Sequence, residues 1–277
     1  MAKMKIQISK DDFEQSILVA TSSHSEVFES VRPHFYEAYN NIQKRFLGYV
    51  GEEALETNER LSAAVVKAVC LTAFLGNVRH LDLVLTPTGF GVVANNEVSP
   101  ASSARVEALI EQCMVACLKA EGEMITWLSA TEGWGESLQA KMSIPLLVFS
   151  IEQYAFQVKQ ELSSKQWKDK LSALYEADGV MRRVISDEQM DDLLEMERGA
   201  KDKDDKAVEI IFKVRRCMIF LAEGLLTAYS NERARLLRYF DANLDKFPLY
   251  ANSSAYKANH FKEFQNEKSK PAFVFNS

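Results

Sequence analysis

One helical pattern occurs twice in this chain. Val65-Val66-Lys67-Ala68-Val69-Cys70-Leu71-Thr72-Ala73-Phe74-Leu75 reads as two apolar residues, Lys, six residues, then Phe-Leu. Ile211-Phe212-Lys213-Val214-Arg215-Arg216-Cys217-Met218-Ile219-Phe220-Leu221 has the same form. Around this pair the chain divides into two related halves. Tyr36-Glu37-Ala38 recurs as Tyr175-Glu176-Ala177, and at that offset Phe28 meets Trp167, Phe35 meets Leu174 and Ile42 meets Met181. Further on, Ala104-Arg105-Val106 pairs with Ala234-Arg235-Leu236. An ordered series of this kind predicts a tandem arrangement, since internal similarity precedes other fold assignments.

Apolar spacing defines the elements. A short helix over 9–20 is capped by Ser9, with Asp11 and Asp12 in its first turn, where acids favour the positive end of the dipole. Pro33 suits a first-turn position, and Phe35, Tyr39, Ile42 and Phe46 then form one stripe up to a stop at Gly48. A long helix is expected from about Glu52 to Leu75, ended by Gly76-Asn77. The period then changes from helical to two. Leu81, Leu83 and Leu85 alternate with Asp82, Val84 and Thr86, Pro87-Thr88-Gly89 makes a turn, and Phe90 to Ala94 returns to Asn95-Asn96. Ser99-Pro100 opens a helix of about thirty residues with the stripe Val106, Leu109, Ile110, Cys113, Cys117, Met124 and Leu128. Gly133-Trp134-Gly135 breaks that pattern.

The expected fold is therefore mainly α: tandem-duplicated helical halves packed as a pseudo-dimer, one β-hairpin inserted in the first half, and an extended C-terminal tail. The boundaries are 1–135 for the first repeat with its hairpin at 81–96, 136–246 for the second repeat without a hairpin, and 247–277 for the tail. The charged run Arg198-Gly199-Ala200-Lys201-Asp202-Lys203-Asp204-Asp205 reads as a solvated loop. The tail carries Phe247, Tyr250, Tyr256, Phe261, Phe264, Phe273 and Phe275, and purely solvated tails are poor in aromatics. Ala272-Phe273-Val274-Phe275 alternates as a strand that adds to a neighbour's sheet edge, or it folds back on its own helices. The candidate partner-binding residues are Phe90 at the hairpin tip and Tyr250, Phe264, Phe273 and Phe275 in the tail.

Composition narrows the function classes. A chain of 277 residues that is 47% hydrophobic can bury a sizeable core. A net charge of −6 argues against a bulk electrostatic grip on nucleic acid or anionic lipid. Cys70, Cys113, Cys117 and Cys217 sit within apolar helical patterns without a disulfide framework, which fits a reducing cytoplasm. The N-terminus, Met1-Ala2-Lys3-Met4-Lys5, leads into no apolar run that would make a signal peptide or a membrane span.

Signals for chemistry are few. Cys113 and Cys117 lie four apart on one helix face, a ligand spacing, but no second Cys or His pair accompanies them and they sit on the apolar stripe. His24, His34, His80 and His260 form no His-Glu-x-x-His pattern. Asp187, Glu188, Asp191, Asp192, Glu195 and Glu197 are interleaved with Leu193, Leu194 and Met196, as on a solvated helix face. Gly89-Phe90-Gly91 lacks the third glycine and the helix of a dinucleotide loop. The expectation is a non-enzyme without cofactor or metal. Two alternatives stand beside it: a cytosolic helical protein that binds a peptide or small ligand in a groove between the halves, and an enzyme with a site near His80.

The run from Val31-Arg32-Pro33 to Gly48, the turn Thr88-Gly89-Phe90 with Val92, Ser99-Pro100-Ala101-Ser102 leading to Arg105-Val106, and Phe247-Pro248-Leu249-Tyr250 together carry a resemblance. In these the chain resembles an uncharacterised family of phage and prophage proteins of Bacteroidales, regarded as virion structural or head–tail connector-like. The resemblance spans most of the chain and rests on structural punctuation. It implies a virion assembly protein that oligomerises or docks on a portal ring, with copies of itself or portal and tail components as partners. Such a protein assembles in the cytoplasm and becomes part of a particle.

Overall fold

In the computed structural model the described residues are 4–17, 25–81, 83–86, 89–92 and 102–261. Helix α1 (Lys10–Ser16) starts in a capping box, in which Ser9 and Asp12 each take the other's backbone N–H. After α2 (Ser25–Val31), a single 3₁₀ turn at Arg32–His34 carries Pro33 and leads into α3 (Phe35–Ile42). The stripe Phe35, Tyr39, Ile42 and Phe46 is buried as its spacing requires. A π turn, Gln43–Leu47, then passes directly into α4 (Gly48–Ala54), so Gly48 at φ +59° bends the chain and does not stop it. The long helix expected from Glu52 is split. Asn58 accepts the Leu61 N–H at 3.0 Å and caps a new helix, α5 (Glu59–Asn77).

Strands β1 (Leu83–Thr86) and β2 (Gly89–Val92) pair antiparallel, Leu83 opposite Val92 and Thr86 opposite Gly89. They are followed by α6 (Ser103–Ser129), α7 (Leu138–Ser143), α8 (Ile151–Val158) and α9 (Ser164–Ile185). Then come α10 (Asp187–Arg198), α11 (Asp205–Ala222), α12 (Leu226–Asp241), α13 (Pro248–Ala251) and α14 (Ser254–Asn259).

Two packing units result. Helix α5 lies against α1, α3 and α6, and α11 lies against α8, α9 and α12. Among the described residues, α5 with its 3₁₀ extension (Glu59–His80, mean hydropathy 1.7) is long and apolar enough to cross a membrane. Here that character follows from its central place: Leu61, Val65, Ala68, Val69 and Leu71 are fully buried among three neighbours.

The expected fold class needs correction in three respects. Among the described residues the body is helical, and the hairpin expected at 81–96 as an inserted module is not supported: strand pairing is confined to residues 83–86 and 89–92. The repeat helices α5 and α11 do not face each other as in a pseudo-dimer. Each buries its stripe in its own unit, and the units meet through α6, α8 and α9. Finally, the part of the expected extended tail that lies within the described residues, 247–261, is not extended. Residues 248–251 and 254–259 form α13 and α14, and Tyr250 packs its ring against Phe240 (4.5 Å) and edge-to-face with Tyr256 (5.4 Å). Asn259 then ties α14 to α9 by donating to the Val184 carbonyl at 2.9 Å.

The Gly133-Trp134-Gly135 boundary is a clasp and not a linker. Trp134 is fully buried and donates its indole N–H to the Phe46 carbonyl at 2.8 Å. A Cβ on Gly135 would lie 2.3 Å from the Ala200 nitrogen, and one on Gly199 would lie 1.9 Å from the Ser129 carbonyl oxygen. The run after Arg198 therefore passes backbone against backbone with the end of α6. Arg198 itself turns inward to the Ile144 carbonyl, donating from two nitrogens at 3.0 and 2.8 Å.

Candidate functional site

The partner-binding candidates fall in three places. Tyr250 is fully buried, held by the rings of Phe240 and Tyr256, so it is corrected from a surface contact to a core anchor. Phe90 lies in β2, and its side chain is outside the described residues, as are Phe264, Phe273 and Phe275. Cys113 is buried on α6, one turn from Cys117, whose Sγ lies 3.6 Å from the Thr72 hydroxyl. Burial pushes the Cys117 thiol up to about 11 and those of Cys70 and Cys217 to about 12, which holds all three protonated and weakly nucleophilic. Among the described residues, no three His, Cys, Asp or Glu side chains are grouped to hold a metal ion. Among the acids of α10, Glu197 is buried and not solvated: both its oxygens are taken, one by Arg215 and one by Lys203 at 3.0 Å.

Two features among the described residues are taken up as candidate sites. The first is a groove of about 490 Å³ between α3 and α5. From α3 and the turn before it come His34, Glu37, Ala38 and Asn41, which share one side of the helix at i, i+3, i+4 and i+7. From α5 come Thr72, Ala73, Gly76 and Asn77, and His80 closes the end. Gly76 has no left-handed φ, and a Cβ there would meet nothing within 4 Å. Neither backbone conformation nor packing requires that glycine, and its missing side chain leaves the groove open. Sequence reading takes Gly76 for a helix stop, and so misses that α5 continues to Asn77. The available signal is the row of polar and small residues His34, Ala38 and Asn41 beside the apolar stripe of α3.

The second feature is an outward strip on α11. Val208 (50% exposed) and Phe212 (40%) stand one turn apart, followed by Arg216 and Phe220. The Arg216 guanidinium carbon lies 5.8 Å from the Phe212 ring centre and 5.6 Å from that of Phe220. At the end of α11, Gly224 at φ +69° turns the chain and leaves Leu225 and Leu226 (66% exposed) on the surface. Arg216 also reaches the buried Glu232 carboxylate at 3.5 Å, which fixes it between the two rings. The repeated sequence pattern marks this helix but gives no sign of which side faces water.

No curated protein and no solved structure matches the chain. The profile of the Family of unknown function (DUF6712) matches residues 32–144, a segment that runs from the 3₁₀ turn before α3 to the residue after α7 and contains every residue lining the groove.

Proposed function

We propose that this chain is a non-enzymatic virion assembly protein of the head–tail connector or adaptor type, acting by oligomerisation or by docking on a portal ring. The α11 strip is the observation that supports this reading. Aromatic side chains bracketing an arginine, with leucines beside them, are the composition that protein interfaces concentrate at their centres. Left in water, the strip forgoes roughly 25 cal/mol for each Å² of apolar surface a partner would cover. Residues 262–277, with Phe264, Phe273 and Phe275, are the second proposed contact.

Size-exclusion chromatography with light scattering, over a concentration series, tests the reading. The expected result is a discrete oligomer, or a monomer that a purified portal ring retains. Phe212→Glu should weaken assembly at least tenfold, and deleting 262–277 should weaken it with the melting temperature unchanged. A chain that neither oligomerises nor binds a portal ring would overturn the proposal, as would a Phe212→Glu protein that assembles like the parent.

A second reading, a cytosolic helical protein that binds a small ligand, is favoured by the α3–α5 groove. Its volume lies within the range of small-molecule sites.

A further inference from the structure

The α11 strip has a spacing that its partner must match. Val208, Phe212, Arg216 and Phe220 follow one another at intervals of four, about 6 Å per step along a helix. The Arg216 guanidinium stands between the two rings, 5.8 and 5.6 Å from their centres, and the buried Glu232 carboxylate holds it there. The gaps on either side of Arg216 are therefore also about 6 Å apart. A ring and a guanidinium border each gap, which favours an aromatic side chain over an aliphatic one.

One stretch of this chain carries aromatics at that interval. Phe273 and Phe275 are two apart, so an extended segment would set them on one side, about 6.6 Å from each other. Pro271, Ala272 and Val274 keep that stretch free of charge. It lies outside the described residues, but the point where the chain leaves the body is fixed. Asn259 donates to the Val184 carbonyl, and His260 Nε2 lies 3.2 Å from Asp241, the last residue of α12. Two residues before Asp241, the Tyr239 ring meets the ammonium of Lys213, the neighbour of Phe212, at 5.3 Å. The exit thus stands beside the strip of its own copy. Residues 262–270 follow, nine residues of which five are charged. Nine residues can span about 30 Å. A spacer of that length is not needed to reach an adjacent strip, and it suits a strip on another molecule.

Resting on the assembly reading, we infer that the α11 strip of one copy binds residues 271–275 of a second copy, so that the chain associates head to tail. Such a contact joins two different surfaces, and contacts of that kind close into rings where the rotation permits. Every copy gives one segment and receives another. The strip and the segment are then the two sides of a single interface.

Mixing two full-length variants tests the inference. Phe212→Glu removes the strip and keeps the segment, whereas Phe273→Asp combined with Phe275→Asp removes the segment and keeps the strip. By sedimentation and light scattering, each variant alone should associate at least tenfold more weakly than the parent, about 1.4 kcal/mol or more. An equimolar mixture should form a pair with one copy of each variant and nothing larger. The pair joins the one intact segment to the one intact strip and leaves no further site. Val208→Glu, at a position 50% exposed, should behave as Phe212→Glu does with the melting temperature unchanged, so a fold defect at position 212 cannot stand in for the result. A mixture that forms no pair overturns the inference, as it would if each segment covered the strip of its own copy. Association of the segment variant like the parent also overturns it and assigns a strip-to-strip contact. A parent that assembles while the mixture forms no pair leaves the assembly reading standing, whereas a parent that neither associates nor docks on a portal ring overturns that reading itself.

Discussion

Around α5 the core is closed by rings and methyl groups, whereas around α11 an apolar core that includes Ile210, Val214, Met218 and Leu236 also takes in ion-paired carboxylates. Phe13, Phe28 and Phe35 meet pairwise at 5.8 to 6.0 Å, and Phe74 of α5 joins Phe13 at 6.3 Å. The second unit buries Glu197 with Arg215 and Lys203, and gathers Asp178, Asp187 and Asp191 on Arg182. It also buries Glu232 beneath Arg216 and Arg235. The same order of packing, one long helix between two others, is thus reached by two routes. Apolar burial is nondirectional and tolerates sliding, while buried ion pairs stabilise only in one geometry and are costly when half removed. The first unit should therefore yield gradually to substitution and the second abruptly.

The strongest test of how the units are joined lies where their backbones touch. Gly199→Ala should destabilise by about 4 kcal/mol or more: the added carbon would overlap the Ser129 carbonyl oxygen, and φ is +80°. Gly133→Ala shares the left-handed backbone, at φ +78°, but has open space around it and should lose only about 1–2 kcal/mol. Chemical denaturation of both variants separates steric contact from backbone strain. Equal losses would show that the close approach at Gly199 is not what holds the units together.

Next in size are the two cores. Phe35→Ala should cost about 3–5 kcal/mol by removing one ring of the cluster. Glu197→Ala should cost about as much, roughly 3–5 kcal/mol, because it leaves the Arg215 guanidinium with an unpaired buried charge. The two losses should respond differently to a second change. Adding Arg215→Met to Glu197→Ala should recover stability, since an apolar replacement of the whole pair avoids the stranded charge. Adding Phe13→Ala to Phe35→Ala should deepen the loss. A double variant of Glu197 and Arg215 that is less stable than the single would remove the distinction drawn between the units.

What the sequence shows of this fold follows the same division. The apolar stripe of α3, the Ser9 cap and the helical reading of α5 and α6 are legible, because periodicity and capping residues are local signals. The break at Asn58 is local too, and is missed by reading the apolar run as continuous. The inward turn of Arg198 and the burial of Glu197 depend on partners 54 and 18 residues away, and the backbone N–H of Tyr250 donates to the Gln189 side chain 61 residues away; no local pattern contains these. Charged residues at helical spacing look solvated until the opposite charge is placed. Of the groove, only His34 and His80 attract notice by residue type. Glu37, Asn41 and Asn77 become a site once α3 lies against α5.

The smallest effects concern two glutamates that respond to acid with opposite signs. Burial raises the carboxyl of Glu121, in the first unit, above its ordinary range, and the guanidinium of Arg45 offsets this only in part. Burial also acts upward on Glu223, in the second unit, but the Tyr154 hydroxyl at 2.5 Å and the Lys170 ammonium at 3.0 Å outweigh it and hold that carboxyl below its ordinary range. A depressed carboxyl stabilises the fold above its unfolded pKa, and that contribution is lost as pH falls through the folded value. A raised one has the reverse linkage: the folded state binds the proton more readily, so stability rises as pH falls from the folded value to the unfolded one. Tyr154→Phe should lower stability at pH 7 by about 1–2 kcal/mol, the worth of a hydrogen bond to a charged group, and should flatten the loss seen as pH falls through the folded value of Glu223. Glu121→Gln should be neutral or slightly stabilising at pH 7, and it should remove the gain between the two pKa values. Urea denaturation at a series of pH values reads both. If the two variants shift the profile in the same direction, the contrast between an uncompensated and a compensated buried charge fails at the level of single side chains.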